Sequence, residues 1–249
     1  MSGLKFVRLE FFKSRRQHIF LLQAGLLSFL LIYFSATFSR KNAGTGWMDL
    51  VYTVPLIDSL VFPLGIAAIA SRLCEAEHKG STYKLLETMM PPCRLFDAKL
   101  ACGAVHVGVL CLLQTALACA LGAAQQFDGP FPAGRLLAMT GAVFAVSMLL
   151  FSLQLGLSLL LANQIIPLTV GVAGSFLGLF IMVFPQIVQR FLPWGYYGVL
   201  MLVRMEWEPA TQHTQFFWAD FDWFGLALLG VWLAVSLAVF RTAFARREV

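Results

Sequence analysis

The sequence contains little charge. Asp, Glu, Lys and Arg make up only 12% of its 249 residues, whereas 59% are hydrophobic and the mean hydropathy is +0.77. A soluble domain of this length needs more polar surface than this to cover itself. Since no polar stretch is long enough to fold separately, the composition predicts one integral membrane domain over residues 1–249.

Sequence motifs for nucleotide and metal chemistry are also missing. The Gly-x-x-x-x-Gly-Lys-Ser/Thr phosphate loop does not occur, and residues 79–82 hold similar residue types in the wrong order. We therefore expect no ATP hydrolysis by that route and no cofactor in this chain. The five cysteines fit no zinc-site spacing and avoid the segments predicted outside, so we expect free thiols. The net charge of +5 indicates membrane orientation rather than nucleic-acid binding.

Apolar runs of about 20 residues recur along the chain, and each is long enough to cross a hydrocarbon core of roughly 30 Å. They predict an all-α polytopic membrane protein with six transmembrane helices. The predicted spans are residues 18–38, 53–72, 99–124, 135–161, 164–185 and 223–241. Only Asn163, Gln164 and Pro167 interrupt the tract that holds the fourth and fifth spans. Because proline fits the first turn of a helix, we predict a tight turn there; the alternative is one kinked helix with a re-entrant piece.

Lys and Arg residues indicate the orientation, because the cytoplasmic loops of membrane proteins carry more of them. With six spans, both termini lie on the same side as the charged segment 72–99, and that side holds most of the 18 basic residues. A count of five or seven spans would divide the basic termini between the two sides. We therefore predict that both termini and the 72–99 segment are cytoplasmic.

Residues 186–222 form the longest segment predicted on the outer side. This segment is rich in aromatic residues, among them Trp194, Tyr196, Tyr197 and Trp218. Aromatic side chains with a polar group prefer the boundary between water and lipid. We therefore predict short external interfacial helices that lie on the outer surface or dip slightly into the bilayer.

The 72–99 segment is a charged stretch between two apolar spans. Gly80 and the two hydroxyl residues after it break the helix and offer a new N-cap, and Pro91 and Pro92 end the short helix that follows. That helix has a broad apolar side, which suits docking into a groove on another protein. The residues that we assign to this docking surface are Glu75, Glu77, His78, Thr82, Leu85, Leu86, Met89 and Arg94.

Glu75, Glu77 and His78 also admit a chemical interpretation, in which they bind a metal or act as acid and base. No second cluster of His or Cys completes a coordination shell for them. A third interpretation is a solvated helix end that keeps the loop in water. Neither of these alternatives accounts at once for Gly80, for Pro91 and Pro92, and for the basic residues Arg94 and Lys99 at the start of the third span.

Strongly polar side chains are few within the predicted spans, and such groups are costly in lipid and often functional. Asp58 is predicted near the outer end of the second span, within reach of interfacial water. His106 and Gln114, eight residues apart in the third span, can share one face, and Gln154 lies in the fourth. Hydrogen bonding to a neighbouring helix is the commoner use of such groups. Their small number disfavours a proton-driven carrier, and we treat all four as candidate intramembrane sites.

Three regions resemble the permease subunits of ABC-2-type transporters. Residues 4–16, with Glu10, Lys13 and a closing Arg-Arg, are similar to the interfacial helix before the first span of that family. Residues 75–99 are similar to the family pattern of acidic residues, Gly-Thr, Leu-Leu, Pro, a basic residue and a closing lysine, although Ser81 here precedes the threonine. Residues 191–196 resemble the external Pro-Trp segment of the smaller members. The small permeases of lantibiotic-immunity and bacitracin-resistance systems are the most similar subgroup.

The resemblance implies that the chain is a non-enzymatic permease subunit of an exporter in a bacterial plasma membrane. It implies a second permease subunit, identical or related, and a separate cytosolic ATPase that binds ATP and magnesium. The 72–99 segment would dock on that ATPase, with Glu75 and Glu77 as polar contacts and Leu85, Leu86 and Met89 as the apolar anchor. The sparse charge of the spans fits a hydrophobic or amphipathic cargo, such as an antimicrobial peptide exported in a resistance role or a lipid-linked molecule, rather than a bare ion.

Two other functions compete with this one. A membrane-embedded enzyme that uses Glu75, Glu77 and His78 would be active as a purified chain and would lose its activity with His78→Ala. A non-catalytic membrane anchor for a cytosolic partner would share the docking segment but would need no path through the spans.

Overall fold

The computed structural model describes residues 3–38, 46–80, 83, 91–208 and 213–246. Most of these residues are helical, as the apolar runs predict. The α-helices are α1 (Gly3–Arg16), α2 (Ile19–Phe38), α3 (Gly46–Lys79), α4 (Pro92–Ala124), α5 (Ala133–Leu160), α6 (Ile165–Ile181), α7 (Gln186–Gln189), α8 (Tyr196–Val199) and α9 (Trp223–Ala245). A 3-10 turn at Pro193–Gly195 precedes α8, and strands β1 (Val203–Glu208) and β2 (His213–Trp218) pair as an antiparallel hairpin.

Five of the helices, α2, α3, α4, α5 and α9, are long and apolar enough to cross a membrane. The predicted all-α polytopic membrane fold is therefore confirmed. α6 is equally apolar but has only 17 residues, a length of about 25 Å, which is shorter than a bilayer core of roughly 30 Å. The sixth crossing thus remains a prediction for α6 and the segment that follows it.

The long apolar tract between residues 133 and 181 consists of two helices joined by a tight turn. Leu161 adopts extended backbone angles, with φ −105° and ψ 123°. The Asn163 side chain accepts a hydrogen bond from the Ile165 N–H at 3.0 Å, and the Gln164 amide donates to the Ser158 and Leu161 carbonyls at 3.0 and 2.8 Å. These side chains satisfy backbone groups at both helix ends, so one continuous kinked helix is excluded.

Contacts at the two ends of the bundle show how the chain runs. His78 of α3 contacts the Ser158 carbonyl at 2.8 Å, and Arg241 of α9 pairs with Asp97 of α4 at 2.8 Å. α1 lies at this same end, because Lys13 pairs with Glu77 of α3. The first and last described helices therefore meet the 72–99 segment at one end of the bundle, as the six-span prediction requires.

The outer segment contains the short helices α7 and α8, and their position at the membrane interface stays a prediction. Tyr196 and Tyr197 are buried rather than interfacial, with 0% and 2% of their surface exposed. The Tyr197 hydroxyl lies 3.0 Å from Ser147 Oγ, halfway along α5, and Trp194 packs against Gly174 of α6. The residues around α7 and α8 are thus inserted into the bundle, where the Tyr197 hydroxyl meets Ser147 and the Tyr196 hydroxyl donates to the Arg190 carbonyl at 3.0 Å.

The β1–β2 hairpin is absent from the sequence-based prediction. Its strands pair from Val203 with Trp218 to Glu208 with His213. β1 alternates apolar and polar residues along Val203–Glu208, the period of two that is typical of a strand. That signal was available, but the aromatic content of the segment favoured an interfacial interpretation.

Candidate functional site

Four charged side chains meet where the 72–99 segment leaves and re-enters the bundle. The Lys99 ammonium lies 2.9 Å from Glu10 Oε2 and 3.1 Å from Glu77 Oε1. The Lys13 ammonium lies 2.8 Å from Glu10 Oε1 and 2.9 Å from Glu77 Oε1. Two cations and two carboxylates thus form a closed ring of contacts, which we call the ion cluster.

The ion cluster is almost fully removed from water. Lys99 has 0% of its side chain exposed and Glu10 and Glu77 have 2% each, whereas Lys13 retains 27%. Lys99 also donates a hydrogen bond to the Leu73 carbonyl. Buried charges are expensive unless they are paired and hydrogen-bonded, and removing one partner of such a set typically costs about 3–5 kcal/mol.

The ion cluster connects three helices that are separate in the sequence. Glu10 and Lys13 lie on α1, Glu77 is in the last turn of α3, and Lys99 is in the second turn of α4. Glu10 reaches inward because it shares a buried side of α1 with Phe6 and Ser14, four residues away in each direction. The cluster therefore fixes α1 against the two helix ends that flank the 72–99 segment.

A second polar group extends the contact between α1 and the bundle. His106 of α4 lies 3.1 Å from Ser14 Oγ and 3.2 Å from Gln23 Oε1 of α2, and Gln23 also donates to the His106 carbonyl at 2.7 Å. The Phe11 ring stacks on the imidazole with 5.2 Å between ring centroids. His106 therefore holds α1, α2 and α4 together.

The predicted docking residues separate into inward and outward sets. Glu77 is buried in the ion cluster, whereas Glu75 retains 30% exposure and pairs with Lys79 at 2.6 Å and Arg72 at 3.7 Å. Arg94, at the start of α4, is exposed. The other predicted members of this surface, Thr82, Leu85, Leu86 and Met89, lie outside the described residues.

Glu75, Glu77 and His78 do not converge on one point. Each has a different partner: the Lys79 ammonium, the ion cluster and the Ser158 carbonyl, respectively. His78 also contacts the Tyr83 ring edge-on, at 4.9 Å between centroids. Within the described part of the chain, no three His, Cys, Asp or Glu side chains are grouped to hold a metal ion. The geometry thus gives the enzyme interpretation no assembled site.

Asp58 lies deeper than predicted. It is fully buried, and because α3 begins at Gly46 it lies about 18 Å from the outer end of that helix rather than near it. Its Oδ1 accepts a hydrogen bond of 2.6 Å from the Gln114 amide of α4. The expected access to interfacial water is therefore wrong, and the pair connects α3 with α4 inside the bundle.

Gln154 connects α5 with α6. With its amide oriented to satisfy both of its polar atoms, it donates to the Pro167 carbonyl at 3.0 Å and accepts from the Gly171 N–H at 3.2 Å. His106 and Gln114 do share the buried side of α4, as their spacing allows, but they bind different helices. The four intramembrane candidates thus all make contacts between helices, the commoner use of polar groups in lipid.

A separate ion pair lies at the opposite end of the bundle. Asp222, the N-cap of α9, accepts hydrogen bonds from the Gly225 N–H at 2.7 Å and from the Arg190 guanidinium at 2.6 Å. Burial of the Asp222 carboxyl raises its pKa, but these two donors outweigh burial and leave the pKa below its ordinary value. The pair therefore ties the inserted outer segment to the start of the last helix.

The ion cluster was not predicted from the sequence. Lys13 and Lys99 enter the sequence analysis only among the basic residues that indicate the orientation and, with Glu10, in the resemblance to the ABC-2 pattern. Two signals were available. Glu10 is the one acidic residue of α1 and lies in line with Phe6 and Ser14, and Lys99 stands directly before a long apolar run. Neither signal names the partner, because the partners are up to 89 residues apart in the chain.

A family model described as ABC-2 family transporter protein matches residues 6–178, well over half of the chain. The matched part contains the whole ion cluster and all four candidate intramembrane residues. No curated protein matches the chain significantly.

Proposed function

We propose that this chain, which belongs to the ABC-2 family of transporter proteins, is the permease subunit of an ATP-driven exporter. As a member of that family, it is a multi-pass membrane component of an ABC transporter and is not itself an ATPase. The cargo that we propose is hydrophobic or amphipathic, because few charged groups lie in the spans. A role in immunity to an antimicrobial peptide is the specific form of this proposal.

The energy would come from a separate cytosolic ATPase that binds ATP and magnesium. We place its docking site on the 72–99 segment, with the partly exposed Glu75 and the exposed Arg94 as its charged contacts. Both termini and this segment would face the cytoplasm of a bacterial cell, in agreement with their basic residues. A second permease subunit, identical or related, would complete the path.

The ion cluster is the observation that carries this proposal. It contains Glu77 and Lys99, near the two described ends of the 72–99 segment, and joins α1 to the adjoining ends of α3 and α4. Since separating its charges would leave a buried group unpaired, these three elements would move as one body when the ATPase pushes on the segment. Motion of α3 and α4 would then change access through the bundle.

Purification of the tagged chain from its native host in mild detergent tests the proposal. We expect a phosphate-loop ATPase to accompany it in stoichiometric amount, as measured by quantitative mass spectrometry. The double variant Glu75→Ala with Arg94→Ala should lose most of this ATPase at an unchanged yield of the chain, because both side chains lie outside the ion cluster.

A matched control is Arg204→Ala with Glu206→Ala. These residues are also exposed, carry one charge of each sign and lie on the outer hairpin. The control should retain the ATPase. Absence of any ATPase from the wild-type preparation would contradict the proposal and would favour the membrane anchor or the enzyme.

A further inference from the structure

The outward side of α1 carries three arginines and two large apolar residues that the bundle does not cover. Arg8, Arg15 and Arg16 are exposed, as are Leu9 at 44% and Phe12 at 59%. At 3.6 residues per turn, the five side chains fall within an arc of about 120°. We call this surface the arginine face.

The opposite side of α1 fixes the direction in which the arginine face points. Phe6, Glu10 and Ser14 are buried against the bundle, and Glu10 is held by Lys99. Glu10 is the one acidic residue in the α1 sequence. The arginine face therefore carries no carboxylate of its own helix to neutralise it.

The position of α1 in the chain places the arginine face at the membrane boundary. α1 ends at Arg16 and the first membrane-spanning helix begins at Ile19, with His18 turning the chain at a φ of 56°. Phe20 and Leu21 follow at once and are 49% and 67% exposed, as expected for side chains in contact with lipid. Arg15 and Arg16 thus lie a few residues from the hydrocarbon.

The chemistry of this surface matches a lipid leaflet. Guanidinium groups form paired hydrogen bonds with phosphate oxygens, and a basic amphipathic helix places its apolar side chains just below the headgroups. Arg16 lies over the Phe12 ring, 5.2 Å from its centroid. Cationic and apolar groups therefore alternate on one surface instead of lying on opposite sides of the helix.

We propose that the arginine face binds anionic phospholipid headgroups of the cytoplasmic leaflet, an assignment of leaflet that rests on the orientation in the proposed function. The guanidinium groups of Arg8, Arg15 and Arg16 contact the phosphates, and Leu9 and Phe12 insert at the acyl boundary. Because the other side of α1 holds the ion cluster, bound lipid also sets the position of α1 against the ends of α3 and α4.

Electron paramagnetic resonance of spin-labelled lipids tests this site on the isolated chain. The protein is reconstituted in phosphatidylcholine bilayers, and the motionally restricted fraction is measured for labelled phosphatidylglycerol and labelled phosphatidylcholine. The wild type should prefer phosphatidylglycerol at low salt. In the triple variant Arg8→Gln, Arg15→Gln and Arg16→Gln, the preference for phosphatidylglycerol over phosphatidylcholine should fall by a factor of at least about five. Each cation near an anionic surface contributes a factor of about five.

A charge-matched control is Arg72→Gln with Arg241→Gln and Arg246→Gln. These three arginines are also exposed at the same end of the bundle but lie off α1. The control should keep the preference, and high salt should remove it from the wild type. Equal losses in the two triple variants would overturn the site, because the effect would then be one of net charge.

An unchanged preference in the α1 variant would also overturn the site. If that variant then failed to retain the cytosolic ATPase on purification, the arginine face would be a protein contact. The lipid measurement uses neither the ATPase nor transport, so its failure leaves the proposed function standing. Circular dichroism of both triple variants excludes unfolding as the cause.

Discussion

Lys99 is a single side chain on which two buried carboxylates depend. It contacts Glu10 and Glu77 with none of its own surface exposed to solvent. The second cation of the ion cluster, Lys13, is partly exposed and pairs with both carboxylates from the solvent-exposed side of the cluster. Lys99 is therefore the member of the cluster whose loss the structure can least compensate.

We predict that Lys99→Met destabilises the folded chain by about 3–5 kcal/mol, because it leaves buried carboxylate charge without its full set of cations. Chemical unfolding in detergent measures the loss. The control Lys79→Met removes an exposed lysine that pairs only at the surface, and it should cost less than about 1 kcal/mol. Addition of Glu77→Gln to Lys99→Met should recover part of the stability, and equal costs for the two lysine variants would contradict the role of the cluster.

Glycines determine how closely several of the membrane-spanning elements approach. A side chain at Gly103 of α4 would overlap the Phe151 ring of α5, and one at Gly156 of α5 would overlap Phe240 of α9. Close approach of this kind supplies the packing contacts that hold helices together where no hydrophobic effect acts between them. Gly174 and Gly178 of α6, which have the GxxxG spacing, both face Trp194 of the inserted outer segment, and Gly178 also faces the Ser59 carbonyl of α3.

We predict that Gly103→Ala destabilises the chain by about 1–3 kcal/mol, because its new methyl group meets the Phe151 ring in a filled core. Gly141→Ala in α5 is the matched control, since nothing lies within 4 Å of its added carbon. It should be neutral or stabilise the helix by up to about 1 kcal/mol. Thermal unfolding of both variants measures the difference, and Phe151→Leu should rescue Gly103→Ala by making room. Similar thermal unfolding midpoints for the two alanine variants would show that α4 and α5 are not tightly packed at Gly103.

Considered as a whole, the molecule has one charged end and one aromatic end. The charged end holds the ion cluster, the arginine face and the Arg241–Asp97 pair. At the other end, Trp47 contacts Phe127 and Phe131 edge-on, and Arg135 lies 3.7 Å over the Trp218 ring. This asymmetry agrees with a membrane protein whose basic end faces the cytoplasm.

We predict that a fluorescent-protein fusion after Arg246 is fluorescent and that alkaline phosphatase inserted between β1 and β2 is active in a bacterial host. The first reporter works only in the cytoplasm and the second only outside it. A fluorescent fusion after Asn163 should also be bright, because that turn lies at the end of the bundle that holds His78. An inactive phosphatase between the strands would mean that α6 and the following segment do not complete a crossing.

The sequence by itself determined the membrane fold and the main helices, and it predicts that the end with the charged segment faces the cytoplasm. These follow from apolar runs of sufficient length and from the distribution of Lys and Arg, which are local properties of the chain. The tight turn at Asn163 was also predictable, since a polar pair and a following proline interrupt the apolar tract. The docking residues stay a prediction, and several of them lie outside the described residues.

Only the tertiary structure decided which polar groups meet. Glu77 had been assigned to the docking surface together with Glu75, yet it turns inward, because Lys99 and Lys13 offer it a buried partner set. Asp58 pairs with Gln114 although 56 residues separate them. Such pairings depend on how helices pack, and packing is a property of the whole bundle that no local pattern specifies.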